Sequence, residues 1–245
     1  MMQQTLVIDF DSTLITVESL DELAHLALAS QSNRAHVMGR LEELCAQAMA
    51  GELAFDESLR RRLQLFRADR RHVEQIAVDL PSMVSPSALG VRDWLHAHRE
   101  HIYVISGGFA ECILPVTEML GLDGDKVFAN HFAYDEEGVV CGYDRESLLS
   151  QPQGKVKQIL SLKLTGPVIV IGDGYTDYEM KAFGVADQFW AFTETISRPS
   201  VIAKADDVLS DFYEVRSLVD NLDEDRLRKP VVVDGSSSAT PTWRE

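Results

Sequence analysis

The sequence predicts an α/β fold in which a parallel sheet is flanked by helices and interrupted by a long helical insertion. Three apolar runs, at residues 5–8, 101–105 and 167–171, have the length and composition of buried parallel strands. Polar residues follow each run, and ligands of open α/β sheets bind at that carboxyl edge. Asp9 and Ser106, which follow the first two runs, are 97 residues apart. This interval is too long for one crossover, so we expect an inserted unit between the two strands.

The inserted segment has apolar residues at helical spacing, and it ends in a stretch rich in proline and serine. Pro81 and Pro86 mark the return of the chain to the sheet. We expect four helices, at about residues 18–31, 33–50, 55–66 and 69–78. The predicted organisation is a core domain of residues 1–15 and 87–228, an inserted helical cap of residues 16–86, and a C-terminal tail of residues 229–245.

After the insertion, strand and helix patterns alternate, which is typical of a right-handed α/β core. A turn containing glycine, at residues 135–138, predicts an antiparallel hairpin. The predicted helices cover residues 89–98, a segment ending near 120, a segment opening at 154, a segment ending near 183, and 211–222. The predicted strands are 127–134 and 139–143, which form the hairpin, and 187–192. Small polar residues predict disorder from about residue 235 onward.

Composition and charge restrict the classes of function. The chain has 245 residues, 45% of them apolar, which is enough for a sizeable core. Its formal net charge of −16 argues against binding to nucleic acid or to anionic membranes. The 3 cysteines lack metal-ligand spacing and predict reduced, buried thiols in a cytoplasmic protein. We expect neither a signal peptide nor a transmembrane span, because the first apolar run is only as long as a strand and contains acids.

Asp9 and Asp11 directly follow the first predicted strand. Two close carboxylates raise one another's pKa unless a cation or hydrogen-bond donors compensate for their charge. The pair therefore predicts a divalent metal site, an acid/base pair or both, and oxygen ligands of this kind suit Mg²⁺. The alternative is that Asp9 caps a turn while Asp11 is a solvated loop acid.

The later segments carry residues that suit a phosphate group and a cation. Ser106 and Gly107 precede a helix whose free N–H groups can hold phosphate oxygens, although Ser106 also suits a simple helix N-cap. Lys155 opens a helix, where a cation is unfavourable unless an anion is near, and a solvated lysine is the alternative. Asp173 and Asp177 can reach a common cation, although a Gly-Asp-Gly turn is by itself a weak signal. Together these segments predict one site at the edge of the sheet.

The same segments, in this order, resemble the four motifs of the haloacid dehalogenase superfamily of phosphatases. The matching segments are Asp-Phe-Asp-Ser-Thr at 9–13, Ser-Gly-Gly at 106–108, Lys155, and Gly-Asp-Gly-Tyr-Thr-Asp at 172–177. Within that superfamily, two further segments narrow the resemblance to the phosphoserine phosphatase family: residues 18–24, which follow the first motif, and residues 48–62, which look like the cap of that family. The resemblance covers roughly residues 4–222. It implies a Rossmann-like core with an inserted helical cap, and hydrolysis of L-phosphoserine to serine and phosphate.

The resemblance also implies a mechanism in two steps. Asp9 attacks phosphorus and becomes an aspartyl phosphate, which water then hydrolyses. Asp11 protonates the departing serine oxygen and afterwards deprotonates the water, so its pKa is expected nearer neutrality than that of Asp9. Mg²⁺ would be held by Asp9, by the backbone carbonyl of Asp11 and by Asp173, with Asp177 ordering the outer shell.

Contacts with the phosphate and with the two charged ends of the substrate follow from the same resemblance. Ser106, the amide of Gly107 and Lys155 would hold the phosphoryl oxygens. Glu18 would bind the ammonium group of the substrate and Arg62 its carboxylate. The implied substrate is a small phosphorylated amino acid.

Three further residues complete the implied site. Met49 and Phe55 occupy the positions that close over the substrate, although core packing is an equal alternative for both. Thr176 would form a hydrogen bond near the metal or near Asp9. Two other functions stay open at this point: action on another small phosphomonoester or transfer of the phosphoryl group to an acceptor alcohol, and a receiver-like signalling module. The long helical insertion is unlike a receiver module.

Overall fold

The computed structural model describes residues 4–228, and it describes side chains up to residue 222. Eight strands lie in this range: β1 (Thr5–Ile8), β2 (Ile102–Phe109), β3 (Val127–Asn130), β4 (Phe132–Tyr134), β5 (Val140–Tyr143), β6 (Val168–Gly172), β7 (Gln188–Phe192) and β8 (Asp207–Leu209). Six of them form a parallel sheet in the order β3-β2-β1-β6-β7-β8, and β4 and β5 form a separate antiparallel pair. The predicted parallel α/β core is confirmed.

Strand β1 lies in the middle of the sheet, and its side chains are buried on both faces. Val7 is opposite Tyr103 of β2 and Val170 of β6. Leu6 and Ile8 belong to one hydrophobic cluster, whereas Val7 belongs to the cluster on the other face. This alternation explains why the run reads as continuously apolar. The carboxyl end of β1 therefore lies between two neighbouring strand ends.

Helices cover both faces of the sheet and form the insertion. They are α1 (Ser19–Ala27), α2 (Arg34–Met49), α3 (Phe55–Leu63), α4 (Arg70–Asp79), α5 (Pro86–Gly90), α6 (Arg92–Ala97), α7 (Ala110–Met119), α8 (Gly154–Leu162), α9 (Tyr175–Ala182), α10 (Pro199–Ile202) and α11 (Phe212–Arg228). No helix of the described range is both long and apolar enough to cross a bilayer.

The four predicted helices of the insertion are α1 to α4, which lie between β1 and β2 in the chain. Helix α1 packs against α2 and α4, α2 packs against α3, and α4 also contacts α7. The two segments that connect the insertion to the sheet run side by side. The N–H of Thr16 donates to the carbonyl of Met83, and the N–H of Ser85 donates to the carbonyl of Leu14, both at 2.9 Å. The insertion is thus connected to the sheet by two chain segments that are hydrogen-bonded to each other.

Several predicted element boundaries were wrong. The run 127–134 is two strands, because its first half pairs in parallel with β2 and its second half pairs with β5. The helix predicted at 89–98 is interrupted at Val91, which separates α5 from α6. Strand β2 continues through Ser106 as far as Phe109, so Ser106 is not the N-cap of a helix. Tertiary pairing thus overrode the local patterns.

Two elements and one thiol differ from expectation in the second half of the chain. The short strand β8 and the short helix α10 were not predicted, because three or four residues give too little periodicity. Cys45 and Cys112 are buried as expected, but Cys141 is exposed. The tail predicted at residues 229–245 lies outside the described residues.

Candidate active site

The chain leaves β1 in a single wide turn, Phe10–Leu14, which the N–H of Ile15 closes by donating to the carbonyl of Phe10 at 3.2 Å. Asp9 caps this turn, and its Oδ1 accepts the N–H of Phe10 at 2.7 Å. The strand does not continue, so Asp9 and Asp11 are not related by strand alternation. Instead, Asp11 Oδ1 accepts the N–H of Ser19 at the start of α1, at 2.7 Å. The turn thereby places both carboxyl groups at the carboxyl edge of the sheet.

Lys155 links Asp9, which follows β1, to Asp177, which lies on α9, through buried ion pairs. Its Nζ lies 2.7 Å from Asp9 Oδ1 and 2.8 Å from Asp177 Oδ1. The residue is only 6% exposed, so the solvated alternative is wrong. Burial lowers the pKa of Lys155, but the Asp177 and Asp9 carboxylates outweigh it and raise the pKa above its ordinary value. Lys155 is therefore a fixed cation beside Asp9.

Three buried carboxylates form a group that can hold a cation. Oxygens of Asp9, Asp173 and Asp177 lie within 4.8 Å of one another. Arg198 Nε donates to Asp173 Oδ2 at 2.9 Å, and the N–H of Gly174 donates to Asp177 Oδ2 at 3.0 Å. An all-oxygen donor set of this kind fits a hard divalent ion.

Burial shifts the titration of these acids. Burial and the nearby charge of Glu18 raise the pKa of Asp11 to about 8. Burial and the charge of Asp9 raise the pKa of Asp177 to about 7. Burial, followed by Glu18 and Asp9, raises the pKa of Asp173 well above its ordinary value, although Arg198 opposes this rise. The pKa of Asp11 is thus raised into the range in which a carboxyl group can exchange a proton near neutral pH.

The last residues of β2 contribute a hydroxyl group and backbone groups. Ser106 Oγ accepts the N–H of Gly108 at 3.0 Å, which leaves its own O–H free to donate. Asn130, at the end of β3, holds the backbone of β2 at Gly107, because its Nδ2 donates to the Gly107 carbonyl at 2.9 Å. The segment is therefore fixed by side chains as well as by the sheet.

The insertion contributes Glu18, which stands immediately before α1. Its two carboxylate oxygens have different donors. Ser12 Oγ donates to Oε1 at 2.9 Å, and Cys45 Sγ donates to Oε2 at 3.3 Å. Glu18 is thus held by one residue of the wide turn and one residue of α2.

The insertion also buries Arg62, which is 4% exposed. Its Nη2 donates to Asp21 Oδ1 at 2.9 Å, while its Nε has no partner among the described residues. Asp21 lies on α1 and Arg62 on α3, so the pair also joins these helices. The guanidinium group retains N–H groups for a further anion.

Met49 and Phe55 pack directly on glycines of the core. A Cβ added to Gly107 would lie 2.1 Å from Phe55 Cζ, and one added to Gly174 would lie 2.7 Å from Met49 Sδ. Thr176 Oγ1 is buried and has no hydrogen-bond partner in the described part of the chain, so the structure does not contain the expected bond to Asp9. These contacts bring the insertion and the strand ends into direct contact.

One small cavity, about 30 Å³ in volume, collects the predicted residues. It is lined by Asp9, Asp11, Glu18, Met49, Phe55, Arg62, Ser106, Gly107, Lys155, Asp173 and Thr176, among others. Asp177 does not line this cavity, but it forms an ion pair with Lys155, which does. A larger neighbouring cavity of about 340 Å³ shares Phe55 and Lys155 with it and is also lined by Tyr175 and Glu179. The structure therefore brings all the predicted site residues together.

Sequence reasoning missed the partners of these residues. Asp21, Arg198 and Asn130 contact Arg62, Asp173 and the Gly107 carbonyl, and Ser12 and Cys45 contact Glu18. Ser12 could have been suspected, because it lies inside the first motif. The other four are distant in sequence from the groups that they contact; Asp21 and Asn130 lie in segments that resemble the family, but nothing in the sequence indicated their partners.

Comparisons with known proteins agree with this geometry. The model of the haloacid dehalogenase-like hydrolase family matches residues 6–181, which confirms the resemblance seen in the motifs. The chloroplastic phosphoserine phosphatase of Arabidopsis thaliana is 34% identical over 218 residues, covering 88% of this chain and 70% of that protein.

Solved structures give the same result. A phosphoserine phosphohydrolase-like protein from Francisella tularensis superposes with a TM-score of 0.79 at 26% identity, covering 88% of this chain and 99% of that one. The structure of a phosphoserine phosphatase described as a phospho-aspartyl intermediate analogue superposes with a TM-score of 0.66 at 26% identity, covering 89% of this chain and 99% of that one.

Proposed function

Because the chain belongs to the haloacid dehalogenase-like hydrolase family, we propose that it hydrolyses O-phospho-L-serine to L-serine and phosphate. One observation carries this proposal: a single cavity contains the candidate nucleophile Asp9 together with Glu18 and Arg62. A carboxylate and a guanidinium group complement the ammonium and carboxylate groups of an amino acid. The phosphoserine phosphatases among the similar proteins support the same substrate.

In the first step, Asp9 attacks phosphorus in line. A bond forms between its carboxylate oxygen and phosphorus while the bond from phosphorus to the serine oxygen breaks. Lys155, 2.7 Å from Asp9 Oδ1, lowers the repulsion between this carboxylate and the anionic phosphate. The product of the step is an aspartyl phosphate at Asp9.

Asp11 supplies and removes the proton. Because burial raises its pKa to about 8, its carboxyl group carries a proton at neutral pH and donates it to the departing serine oxygen. The resulting carboxylate then takes a proton from the attacking water, whose oxygen bonds to phosphorus while the bond from the Asp9 oxygen to phosphorus breaks. Phosphate is released and the Asp9 carboxylate is restored. The N–H of Ser19, which donates to Asp11 Oδ1, keeps the group in place through both steps.

The phosphoryl oxygens are held by Ser106, by the amide of Gly107 and by Lys155 in this proposal. The free O–H of Ser106 supports this role, as does the anchoring of the Gly107 carbonyl by Asn130. Fixed donors of this kind supply most of the catalysis in phosphoryl transfer, because charge is spread over the oxygens in the transition state.

The proposed cofactor is Mg²⁺. Asp9, Asp173 and the backbone carbonyl of Asp11 would hold it, and Asp177 would order its outer shell. Bound there, it would neutralise the carboxylates and polarise the phosphate. Arg198 and Lys155 already pair with these acids, so both must share them with the cation.

The insertion, residues 16–86, would act as a cap that selects the substrate and excludes water, with residues 1–15 and 87–228 as the core domain. The contacts of Met49 and Phe55 with core glycines support a closing role for these two residues. The small volume of the cavity, about 30 Å³, supports a cap that must open to admit substrate. Thr176, whose hydroxyl has no hydrogen-bond partner among residues 4–222, would donate to the bound phosphate.

A second candidate function keeps the chemistry but replaces water by an acceptor alcohol. The neighbouring cavity of about 340 Å³ favours this possibility, because it adjoins the site and could hold an acceptor. A receiver-like module is not supported by the family or by the four-helix insertion. A cytoplasmic location and the absence of nucleic-acid and membrane partners remain predictions from composition.

The proposal is tested by phosphate release from phosphoserine, phosphothreonine, phosphoethanolamine and a sugar phosphate, with Mg²⁺ and with a chelator. We expect metal-dependent release that is fastest with phosphoserine and is lost in Asp9→Asn. Equal release from all four substrates would reject the roles of Glu18 and Arg62 but retain the mechanism. Release that persists in Asp9→Asn would reject the proposed nucleophile.

A further inference from the structure

Glu18 is the carboxylate proposed to meet the ammonium group of the substrate, and both of its oxygens already have donors within the protein. The Ser12 hydroxyl donates to Oε1 at 2.9 Å and the Cys45 thiol donates to Oε2 at 3.3 Å. The two contacts fix the rotation of the carboxylate group about its terminal bond, which is otherwise soft. Glu18 therefore presents one defined face to the cavity.

The two donors come from different parts of the molecule. Ser12 lies in the wide turn that follows the nucleophile, and its φ of 54° is in the left-handed region that residues with a Cβ rarely adopt. Such a conformation is unfavourable for a residue with a Cβ and persists only where the surroundings demand it. It brings the hydroxyl of Ser12 within reach of Glu18, six residues further on.

Cys45 approaches Glu18 from α2, inside the insertion, and it is 4% exposed. Burial, together with the charge of Glu18, raises the pKa of the Cys45 thiol well above its ordinary value. The group therefore stays a neutral donor, whereas a thiolate would repel the carboxylate. Neither Ser12 nor Cys45 is among the residues that line the cavity. Each therefore acts on the substrate through a residue that it contacts, and the hydrogen bond of each side chain is to Glu18.

We propose that Ser12 and Cys45 are positioning residues that aim the Glu18 carboxylate at the substrate ammonium, and that they thereby determine the preference for phosphomonoesters that carry an amino group. The inference rests on the proposed function, because it assigns Glu18 its ligand. It separates selectivity from chemistry: a lost donor weakens binding of the amine and leaves the phosphoryl contacts of Lys155 intact.

Three substrates isolate the effect. Phosphoserine has both charged groups, phosphoethanolamine keeps the ammonium but lacks the carboxylate, and the phosphate ester of 3-hydroxypropanoate keeps the carboxylate but lacks the ammonium. Steady-state kinetics are measured in wild type, Cys45→Ala and Cys45→Val, the last of which fills the site without a donor. Cys45→Ser restores a donor, and Ser12→Ala tests the other contact.

The matched control is Ser58→Ala. The Ser58 hydroxyl donates to the carbonyl of Leu44 at 2.9 Å, so this variant also removes a buried hydrogen bond at α2, beside Cys45. Ser58 makes no hydrogen bond to Glu18 in the described residues. The Ser58→Ala variant therefore measures how loss of a hydrogen bond between α2 and α3 alone changes KM and kcat.

We expect Cys45→Ala, Cys45→Val and Ser12→Ala to raise KM for both amino substrates by about 10-fold, since a hydrogen bond to a charged group is lost. The KM of the 3-hydroxypropanoate ester and all three kcat values should change little. Cys45→Ser and Ser58→Ala should keep the wild-type ratio between amino and amino-free substrates.

Two results would overturn the inference, and they have different meanings. In one result, wild type prefers phosphoserine, but the KM ratio between amino and amino-free substrates is the same in the Cys45 and Ser12 variants as in wild type, even if KM rises for all substrates. Only the positioning role is then wrong. If wild type itself does not distinguish phosphoserine from the amino-free ester, the proposed substrate is wrong and the inference with it.

Discussion

The core side and the cap side of the cavity hold their charges in different ways. On the core side, one cation is shared between acids from separate elements, as Lys155 is shared by Asp9 after β1 and Asp177 on α9. On the cap side, Arg62 pairs with Asp21 on a neighbouring helix, and Glu18 accepts hydrogen bonds from the uncharged Ser12 and Cys45.

This difference has a functional consequence. The register of the parallel sheet fixes the core groups, so changing one of them disturbs the shared charge balance and the chemistry together. The cap groups are fixed by side-chain pairs, which can be broken one at a time. We therefore expect changes on the core side to affect kcat and changes on the cap side to affect KM and stability.

The largest effect is expected on the core side, from Lys155→Ala. Its loss removes a cation from the phosphoryl group and leaves Asp9 and Asp177 without their shared partner. We expect kcat to fall by about 10³-fold, and the metal-free protein to lose stability at neutral pH because buried carboxylates repel. Single-turnover phosphate release and thermal unfolding with and without Mg²⁺ measure the two effects.

Lys157→Ala is the matched control for that variant. Lys157 lies on the same helix and donates to Gln151 Oε1 at 3.0 Å, away from the acids. It should keep the wild-type kcat and unfolding temperature. A kcat for Lys155→Ala within a few-fold of wild type would show that the core charges are not shared in catalysis.

An intermediate effect is expected on the cap side, from Asp21→Ala. The variant leaves the buried Arg62 without its ion-pair partner, which typically costs about 3 kcal/mol or more of unfolding free energy. It should also raise KM for phosphoserine more than KM for phosphoethanolamine, because only the former has a carboxylate for Arg62. Urea unfolding and steady-state kinetics test both statements.

Glu57→Ala is the control for a similar pair in water. Glu57 lies on α3 like Arg62, but its partners Arg60 and Arg61 are exposed. Solvent screens such pairs, so the variant should change neither stability nor KM appreciably. If Asp21→Ala were equally silent, the cap pair would have no more effect than a surface pair.

The smallest effect, when counted over one pH unit, is expected from titration of the core acids. The folded-state pKa of Asp11, about 8, lies above its ordinary value of 3.8, and that of Asp177 is also raised, to about 7. Between pH 3.8, the ordinary pKa of an aspartate, and these raised values, the folded chain binds more protons than the unfolded chain. The free energy of unfolding of the metal-free protein should therefore fall as pH rises from about 4 to 8, by at most about 1.4 kcal/mol per unit for each group.

The measurement is urea unfolding at pH 5, 6, 7 and 8, with chelator and with Mg²⁺. Glu57 and Asp69 have a pKa lowered to about 2, so they act below this window. A cation bound at Asp9, Asp173 and Asp177 displaces the proton of Asp177, so Mg²⁺ should reduce the slope and release protons on binding. A metal-free stability that rises with pH over this range would contradict the raised pKa values.

Much of the core side was predictable because its signals are local. Each strand is a short apolar run that ends in an acid or a hydroxyl, and parallel strands bring such ends to one edge. The four motifs therefore identified Asp9, Asp11, Ser106, Lys155 and Asp173 as neighbours before any coordinate was known. The wide turn at Phe10–Leu14 was not predictable, because it has no periodicity.

The cap side was predictable only in part. Resemblance to the family indicated Glu18 and Arg62, but nothing in the sequence linked them to Cys45 and Asp21, which are 27 and 41 residues away from them. These contacts depend on how three helices pack, and helix packing has no sequence signal as local as a strand end. The predicted strand at 127–134 was also wrong because of contacts between distant residues. Its first half pairs with β2 and its second half with β5, so one apolar run is divided between two sheets.

By itself, the sequence determined the parallel α/β core with its helical insertion, the order of the motifs, and the edge of the sheet at which the acids and the hydroxyl group meet. These follow from apolar periodicity and from the directionality of parallel strands, both of which are properties of short segments. Only the tertiary structure decided which partner each charge has, which acids are buried deeply enough to keep a proton near neutral pH, and how Glu18 is aimed. Those properties depend on desolvation and on contacts between distant residues, because the energy of a charge is set by everything that surrounds it.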